Sequence, residues 1–304
     1  MRVLITGITG FIGRALAPAL SARGYEVRGT SRATLGDINA TTEWGETLSG
    51  CEAVVHLANA AHSEADETVL HRVNVEGTRR LAEQCARHGV RRIVYVSSVK
   101  VCGEETSLCA FDENDPAAPR DAYGAAKHAA ERAILDVAKS SALEVVILRP
   151  PLVYGPNVKA NIRALLHAIA ERWPLPLASV RNRRSLIFVG NLTDAIVRCL
   201  EAAQAAGKTY LVADGDPVST PDLVRALARG LGTSPHIFPF PPRLLEIGGA
   251  LLGRGGTVKR LTRSLEVNDS AIRRELGWRP PYTFEGGIRL TTEWFREERA
   301  RASG

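Results

Sequence analysis

Two stretches hold the residues best suited to chemistry. The first, "TGITGFIG" (6–13), places Gly7, Gly10 and Gly13 three apart, directly after the apolar run "RVLIT". Glycines so spaced tighten the turn, let backbone N–H groups approach a pyrophosphate, and let the next helix pack close to the strand. The phosphates then sit at that helix's positive end, beside Phe11 and Ile12. The second stretch begins with the serine pair that closes "RIVYVSS" at Ser98. It resumes in "DAYGAAKHAAE", where Tyr123 and Lys127 lie one helical turn apart on one face. Alone, such a Tyr/Lys pair is commonly a packed ring beside a solvated amine, and a double serine is commonly a turn. Behind a dinucleotide loop, the three raise the reading of one catalytic group.

The end of the second strand selects the cofactor. An acid there accepts hydrogen bonds from the ribose 2′-hydroxyl. "GTSRATLGD" (29–37) offers Ser31 and Arg32 instead, with no acid until Asp37. A hydroxyl beside a guanidinium suits a 2′-phosphate, so NADP is favoured over NAD. Asp37 and Ile38 are left to grip the adenine amine and face.

These residues need a frame. "RVLITG", "EVRGTS", "AVVHLA", "RIVYVSS" and "EVVILRP" read as short buried strands. Between them, 11–24, 68–89 and 121–141 carry helical periodicity, with Gly24 and Gly89 placed as helix stops. Such alternation predicts an α/β fold, a parallel sheet with helices on both faces. "SLIFVG" (185–190) and "TYLVAD" (209–214) are expected to return two strands to that sheet. The proline-rich 172–185 and 234–246 are expected to be irregular. Residues 213–304 are expected to form short helices and loops of a smaller lobe, with a frayed end. The expected division is a dinucleotide domain of 1–154 and 185–212, and a substrate lobe of 155–184 and 213–304.

At 304 residues, 45% hydrophobic and 24% charged, the chain is long enough to bury an ample core. No apolar run nears the roughly 20 residues of a membrane-spanning helix, and the N-terminus lacks the form of a secretory signal. Neither membrane insertion nor secretion is expected. Five dispersed cysteines without a C-x-x-C argue against a disulfide framework or a metal site and for a cytoplasmic protein. The net charge of +6 is dispersed among acids, which argues against nucleic acid and suits a small anionic substrate.

"TGITGFIG", "VVHLAN", "VNVEGT", "SSVKVCG", "YGAAK", "LRPPLVYGP" and "IRRELGWRPPYTFEGGIRLTTEWF" occur in this order along nearly the whole chain. Together they resemble the extended short-chain dehydrogenase/reductase family of nucleotide-sugar epimerases, dehydratases and reductases. The likeness is greatest to bacterial enzymes acting at C4 of UDP-hexosamines or their 4-keto-6-deoxy derivatives, used in surface polysaccharide synthesis. The resemblance implies a Rossmann-type doubly wound sheet with a smaller mixed C-terminal substrate lobe. It implies that Tyr123 moves a proton, and that Lys127 holds the nicotinamide ribose and acidifies the tyrosine. Ser98 would bind the reacting sugar oxygen, Asn74 would order the site, and Leu57, Ala58, Asn59 and Pro150 would line the cofactor. A homodimer through helices within 64–88 and 122–141 is also implied.

On the substrate side, the resemblance puts Asn161 on the pyrophosphate, Arg184 on a phosphate and Leu177 against the nucleotide base. A further cation on the phosphates is expected from Lys259, Arg260 and Arg263, which the sequence does not separate, with Arg263 the expected substrate-binding residue. Two departures narrow the chemistry. Dehydratases of the family carry an Asp–Glu pair where Val99 and Lys100 stand, so the acid and base that elimination requires are missing. Lys100 is left to bind a sugar hydroxyl or a phosphate, or to lie exposed. Leu152 stands where many epimerases have an asparagine on the substrate phosphate, so UDP-glucose recognition of the standard kind is not expected. The expected activity is an NAD(P)-dependent oxidoreductase working at C4 of a UDP-sugar, with 4-epimerisation as the alternative and a non-enzymatic dinucleotide sensor behind it.

Overall fold

The computed structural model describes residues 1–60 and 66–303. Its strands are β1 (Arg2–Thr6), β2 (Glu26–Thr30), β3 (Ala53–His56), β4 (Arg92–Val96), β5 (Glu144–Arg149), β6 (Leu152–Tyr154), β7 (Leu186–Phe188) and β8 (Thr209–Leu211). Six form one parallel sheet in the order β2-β1-β3-β4-β5-β8. Its inner strands are Val/Ile-rich because helices cover both faces, leaving no strand side for water. On one face Leu16, Leu20, Leu192, Ile196 and Trp278 pack on the sheet. On the other, Leu81, Ala130 and Ile134 pack on Val54, Ile93 and Ile147. A third core, with Tyr154, Leu166, Phe188, Leu227 and Phe295, belongs to the C-terminal part.

Gly24 and Gly89 end their helices at φ +80° and +70°, which a side chain would resist. The 68–89 helix is not uniform: its α-helical turns flank a π-helical segment, His71–Glu76. Residues 64 and 65 of the expected dimer helix lie outside the described residues. β8 joins the main sheet as expected, but β7 does not. Among the described residues it pairs with β6 alone, in a separate two-stranded sheet whose Tyr154, Leu186 and Phe188 pack into the C-terminal core. That part is also not made of short helices alone: Phe284–Ser303 is a 20-residue helix that reaches the end of the described chain. Among the described residues, no helix is long and apolar enough to cross a membrane.

Candidate active site

The connection from β1 leads to β2 on one side, and β3 lies on the other. A crevice therefore opens at the carboxyl ends of β1 and β3. The glycine loop lies there. Gly7 has φ +73°, and a Cβ on it would stand 3.0 Å from the Ala58 nitrogen. A Cβ on Gly13 would meet the Gly7 carbonyl at 2.5 Å, so only glycine lets the helix Phe11–Ser21 begin this close. Gly10 is its N-cap and makes no side-chain capping bond. Ile12 lines the crevice, whereas Phe11 packs toward the C-terminal core.

A buried polar row fixes the crevice floor. Thr6, His56 and Tyr95 are register neighbours across β1, β3 and β4. The Thr6 hydroxyl accepts from Leu57 N and Ala58 N, both at 3.1 Å, and contacts His56 Nδ1 at 2.7 Å. Two accepted bonds occupy both lone pairs of a hydroxyl, so Thr6 donates to Nδ1. His56 then carries its proton on Nε2 and donates to Thr78 Oγ1 at 2.9 Å. Burial, helped by the Lys127 charge, lowers His56 to about 3, so the ring is neutral. Asn74, in the π-helical turn, does not reach the crevice. Its amide bonds both Ala60 N (2.7 Å) and Ala60 O (3.0 Å), pinning the chain just beyond Asn59.

Ser98, Tyr123 and Lys127 converge on the same crevice. The helix Ala122–Lys139 starts at Asp121, whose carboxylate accepts from Gly124 N at 2.7 Å. Tyr123 and Lys127 lie on its inner face, followed by Glu131, which forms a buried bidentate pair with Arg149. Lys127 is 1% exposed, donates to the Val96 carbonyl at 3.0 Å, and lies 4.7 Å from the Tyr95 ring centre and 5.9 Å from that of Tyr123. The Ser98 oxygen accepts from Lys100 N at 3.2 Å, which leaves its O–H free to donate.

Burial lowers the Lys127 amine from 10.5 to about 7, although Glu131 opposes this. Burial also pushes the Tyr123 phenol well above its ordinary value, and the Asp121 carboxylate adds to the rise. The expected acidification of Tyr123 is therefore absent in the chain by itself: desolvation of the phenolate outweighs a lysine whose own charge burial disfavours.

Two cavities meet at Ser98 and Tyr123, which line both. The smaller, about 150 Å³, is lined also by Ile12, Leu57, Asn59, Lys127 and Pro150. Asn59 Oδ1 and Ser97 Oγ face this region buried and without a hydrogen-bond partner among the described residues. Buried polar atoms are seldom left so, and a polar ligand ring would satisfy them. The donors, the glycine cradle and the orphaned atoms together fit a nicotinamide dinucleotide.

The larger cavity, about 460 Å³, holds Lys100, Asn161 and Arg184 among mostly apolar walls. Lys100 is not free: it pairs with Asp121 and with Glu104. Burial, with the Arg260 charge, lowers Arg184 to about 10. Two of the expected substrate residues do not line this cavity. Arg263 points away, held by Glu246 at 2.6 Å, and Arg260 of the same helical segment lines the cavity in its place. Leu177 is buried in the C-terminal core, where its loop folds inward, and Leu165, Trp173, Leu223 and Leu261 provide the apolar wall.

At the end of β2, Ser31 precedes the short helix Arg32–Leu35 and its backbone N–H donates to Thr34 Oγ1 at 2.9 Å, and Arg32 pairs with Asp37 at 2.6 Å on the surface. Ile38 is buried against Gly77 rather than exposed to a ligand. Neither of the two cavities at Ser98 and Tyr123 is lined by any of these four. Sequence reasoning missed Thr6, His56, Thr78 and Ser97. A histidine inside the apolar run "AVVHLA" was the available signal, since a buried imidazole demands two partners.

Comparison with known proteins agrees with this geometry. The sequence profile described as the NAD dependent epimerase/dehydratase family matches residues 3–213. A UDP-glucose 4-epimerase of Vibrio cholerae is 39% identical over 317 residues, covering 98% of this chain and 97% of its own. An N-acetyl-alpha-D-glucosaminyl-diphospho-ditrans,octacis-undecaprenol 4-epimerase of Escherichia coli O157:H7 is 25% identical over 317 residues, covering 96% and 94%. Among solved structures, the Thermus thermophilus UDP-glucose 4-epimerase complex with NAD has a TM-score of 0.77 at 26% identity, covering 97% of this chain and 99% of its own. MoeE5 in complex with UDP-glucuronic acid and NAD has a TM-score of 0.81 at 25% identity, covering 98% and 100%. With 211 of its 304 residues inside the profile and relatives aligned along nearly its full length, the chain belongs to the NAD-dependent epimerase/dehydratase family of enzymes.

Proposed function

We propose that this enzyme transfers hydride at C4 of a UDP-sugar, and that its forward reaction is reduction of a 4-keto-6-deoxy sugar. The observation that carries this reading is the shared wall: Ser98 and Tyr123 stand between the small cavity and the large one. Ile12, Asn59 and Lys127 would hold the nicotinamide end of the dinucleotide, which in its reduced form would supply hydride for C4. Tyr123 gives its phenolic proton to the carbonyl oxygen, and Ser98 donates a hydrogen bond to that same oxygen. Lys127 would bind the ribose hydroxyls, and in its protonated form it would steady the phenolate that remains. The ketone becomes an alcohol, and the tyrosine is reprotonated from solvent.

Arg184 and Arg260 would hold the diphosphate, with Asn161 beside them. Val99, Pro151, Leu152 and Val153 form an apolar part of the same cavity wall as Ser98 and Tyr123. That surface suits a C6 methyl better than a C6 hydroxyl, which supports a 6-deoxy sugar. The dinucleotide is NAD or NADP: Arg32 supports a 2′-phosphate, and its partner Asp37 competes for the same guanidinium. A homodimer through the helix Ala122–Lys139 and its neighbour belongs to this reading and is tested by light scattering.

A second reading, 4-epimerisation, is favoured by the 39% identical relative. The deciding assay supplies a UDP-4-keto-6-deoxy sugar with NADH or NADPH, and separately a UDP-hexose without reductant. Stoichiometric loss of reduced nicotinamide with the keto sugar supports reduction. Interconversion of UDP-hexoses without added reductant, and no oxidation with the keto sugar, overturns it.

A further inference from the structure

The helix Pro242–Leu251 turns its apolar side outward. Its inward side carries Leu245, which packs on the C-terminal core, together with Glu246 and Gly249. Glu246 accepts from Thr262 Oγ1 at 2.8 Å and from Arg263 Nη2 at 2.6 Å. Gly249 lets the next helix, Gly255–Thr262, come close, since a Cβ there would stand 2.5 Å from Val258. The outward side carries Leu244, Ile247 and Leu251 at spacings of three and four, continued by Leu252. These are 54%, 57%, 83% and 78% exposed. Scattered surface leucines are ordinary, but three apolar residues on one helix face, with Leu252 just past its end, form a patch that water disfavours.

Charge identifies what covers the patch. Residues 242–263 contain Arg243, Arg254, Lys259, Arg260 and Arg263 against the single acid Glu246. That acid is already engaged by Arg263. Arg243, Arg254 and Lys259 are exposed. Glu105 lies 3.9 Å from Arg263, but the charges of this segment are mainly cationic, and an apolar face beside such cations is the pattern of a helix lying in a lipid interface. A second copy docked by two-fold symmetry would bring the cations Arg243, Arg254 and Lys259 of both copies onto one interface.

We propose that this face seats on a membrane surface carrying anionic phospholipids, with the leucine and isoleucine side chains in the headgroup boundary and the cations over the lipid charges. The inference does not depend on the reaction proposed above. It does bear on access. Thr257, Arg260 and Leu261 of the paired helix line the large cavity, so the surface and the site share one two-helix unit. Trp173, on the cavity wall, is 63% exposed, and its loop pairs with the loop that leads into this helix through Leu175 and His236.

The test is cosedimentation of the full chain with phosphatidylcholine vesicles, with and without phosphatidylglycerol. Recovery with the anionic vesicles should exceed that with the neutral ones by about tenfold or more and fall with added salt. The triple variant Leu244→Ser, Ile247→Ser, Leu251→Ser should lose this binding while keeping its melting temperature and its dinucleotide affinity. Arg243→Gln with Arg254→Gln should remove the preference for anionic vesicles. No recovery with anionic vesicles, or equal recovery with neutral ones, overturns the proposal. It is also overturned if the triple variant changes the sedimentation coefficient without vesicles, which would make the face a contact between copies.

Discussion

Lys127 is a buried amine that donates to a backbone carbonyl and faces two tyrosine rings. Its depressed pKa has a measurable sign. Between about 7 and its ordinary value of 10.5, the unfolded chain binds a proton at this site that the folded chain does not. Unliganded stability therefore rises with pH across that window, by up to about 1.4 kcal/mol per pH unit from this group. Lys127→Met should flatten the slope and be more stable than the natural protein at pH 7 and below, while losing nearly all turnover. Urea denaturation at several pH values reads it, and an unchanged slope would refute the assignment. Tyr123→Phe should lower turnover by about 10²–10⁴-fold and leave dinucleotide affinity within a few fold, as measured by fluorescence titration. Both residues, and Ser98, were legible from type and spacing. The raised phenol was not, because a one-dimensional pattern shows which charges are near but not how much water is removed. Arg260 and Arg263 were inseparable for a similar reason: only the fold shows that Glu246 captures one of them.

Strands were legible as elements because a strand buried on both faces must be a short apolar run, and five such runs became β1 to β5. β7 was misplaced because a run of three apolar residues states that it is buried but not against which partner. The π-helical turn around Asn74 was also hidden, since one extra residue barely disturbs helical periodicity. Yet that turn and the Thr6–His56–Thr78 row hold the Leu57–Ala60 segment against the glycine loop. Thr6→Val keeps the shape and removes the hydroxyl that serves Ala58 N and His56, while Leu57 N keeps the Thr6 carbonyl at 3.2 Å. Each buried group left unpaired costs about 1–3 kcal/mol. The variant should be destabilised by at least that amount and bind dinucleotide more weakly, and Thr6→Ser should recover both. Calorimetry and titration report the pair. Equal loss in the serine variant would show that the methyl, not the hydroxyl, matters. His56 adds an acid limit. Its folded pKa of about 3 lies below its ordinary 6.5, so the unfolded state binds the extra proton between these values and stability falls as pH drops through that window.

Across the whole molecule, the large cavity exists because β6 and β7 leave the main sheet and bring the C-terminal helices over Tyr123. Arg184, from the loop before β7, and Arg260, from the helix Gly255–Thr262, reach it from separate parts of the chain. Two guanidiniums facing one space repel, and Arg184 is the worse solvated, which is why its pKa is depressed. A diphosphate bound as proposed would reverse that repulsion and tie the segments together. UDP should therefore raise the melting temperature, with a gain of about 2.7 kcal/mol at a hundred times its dissociation constant. Arg260→Met should weaken UDP binding by about tenfold or more, since a charge-assisted bond contributes about 1.5–3 kcal/mol. The same variant should not lose stability without ligand, because it removes a like charge from beside Arg184. Arg263→Met should behave oppositely: its ion pair with Glu246 is lost, the two-helix unit loosens, and intrinsic UDP affinity changes little. Calorimetric titration and thermal melts on the two variants separate these outcomes. If Arg263→Met, and not Arg260→Met, abolishes UDP binding, the assignment of the diphosphate to this cavity fails.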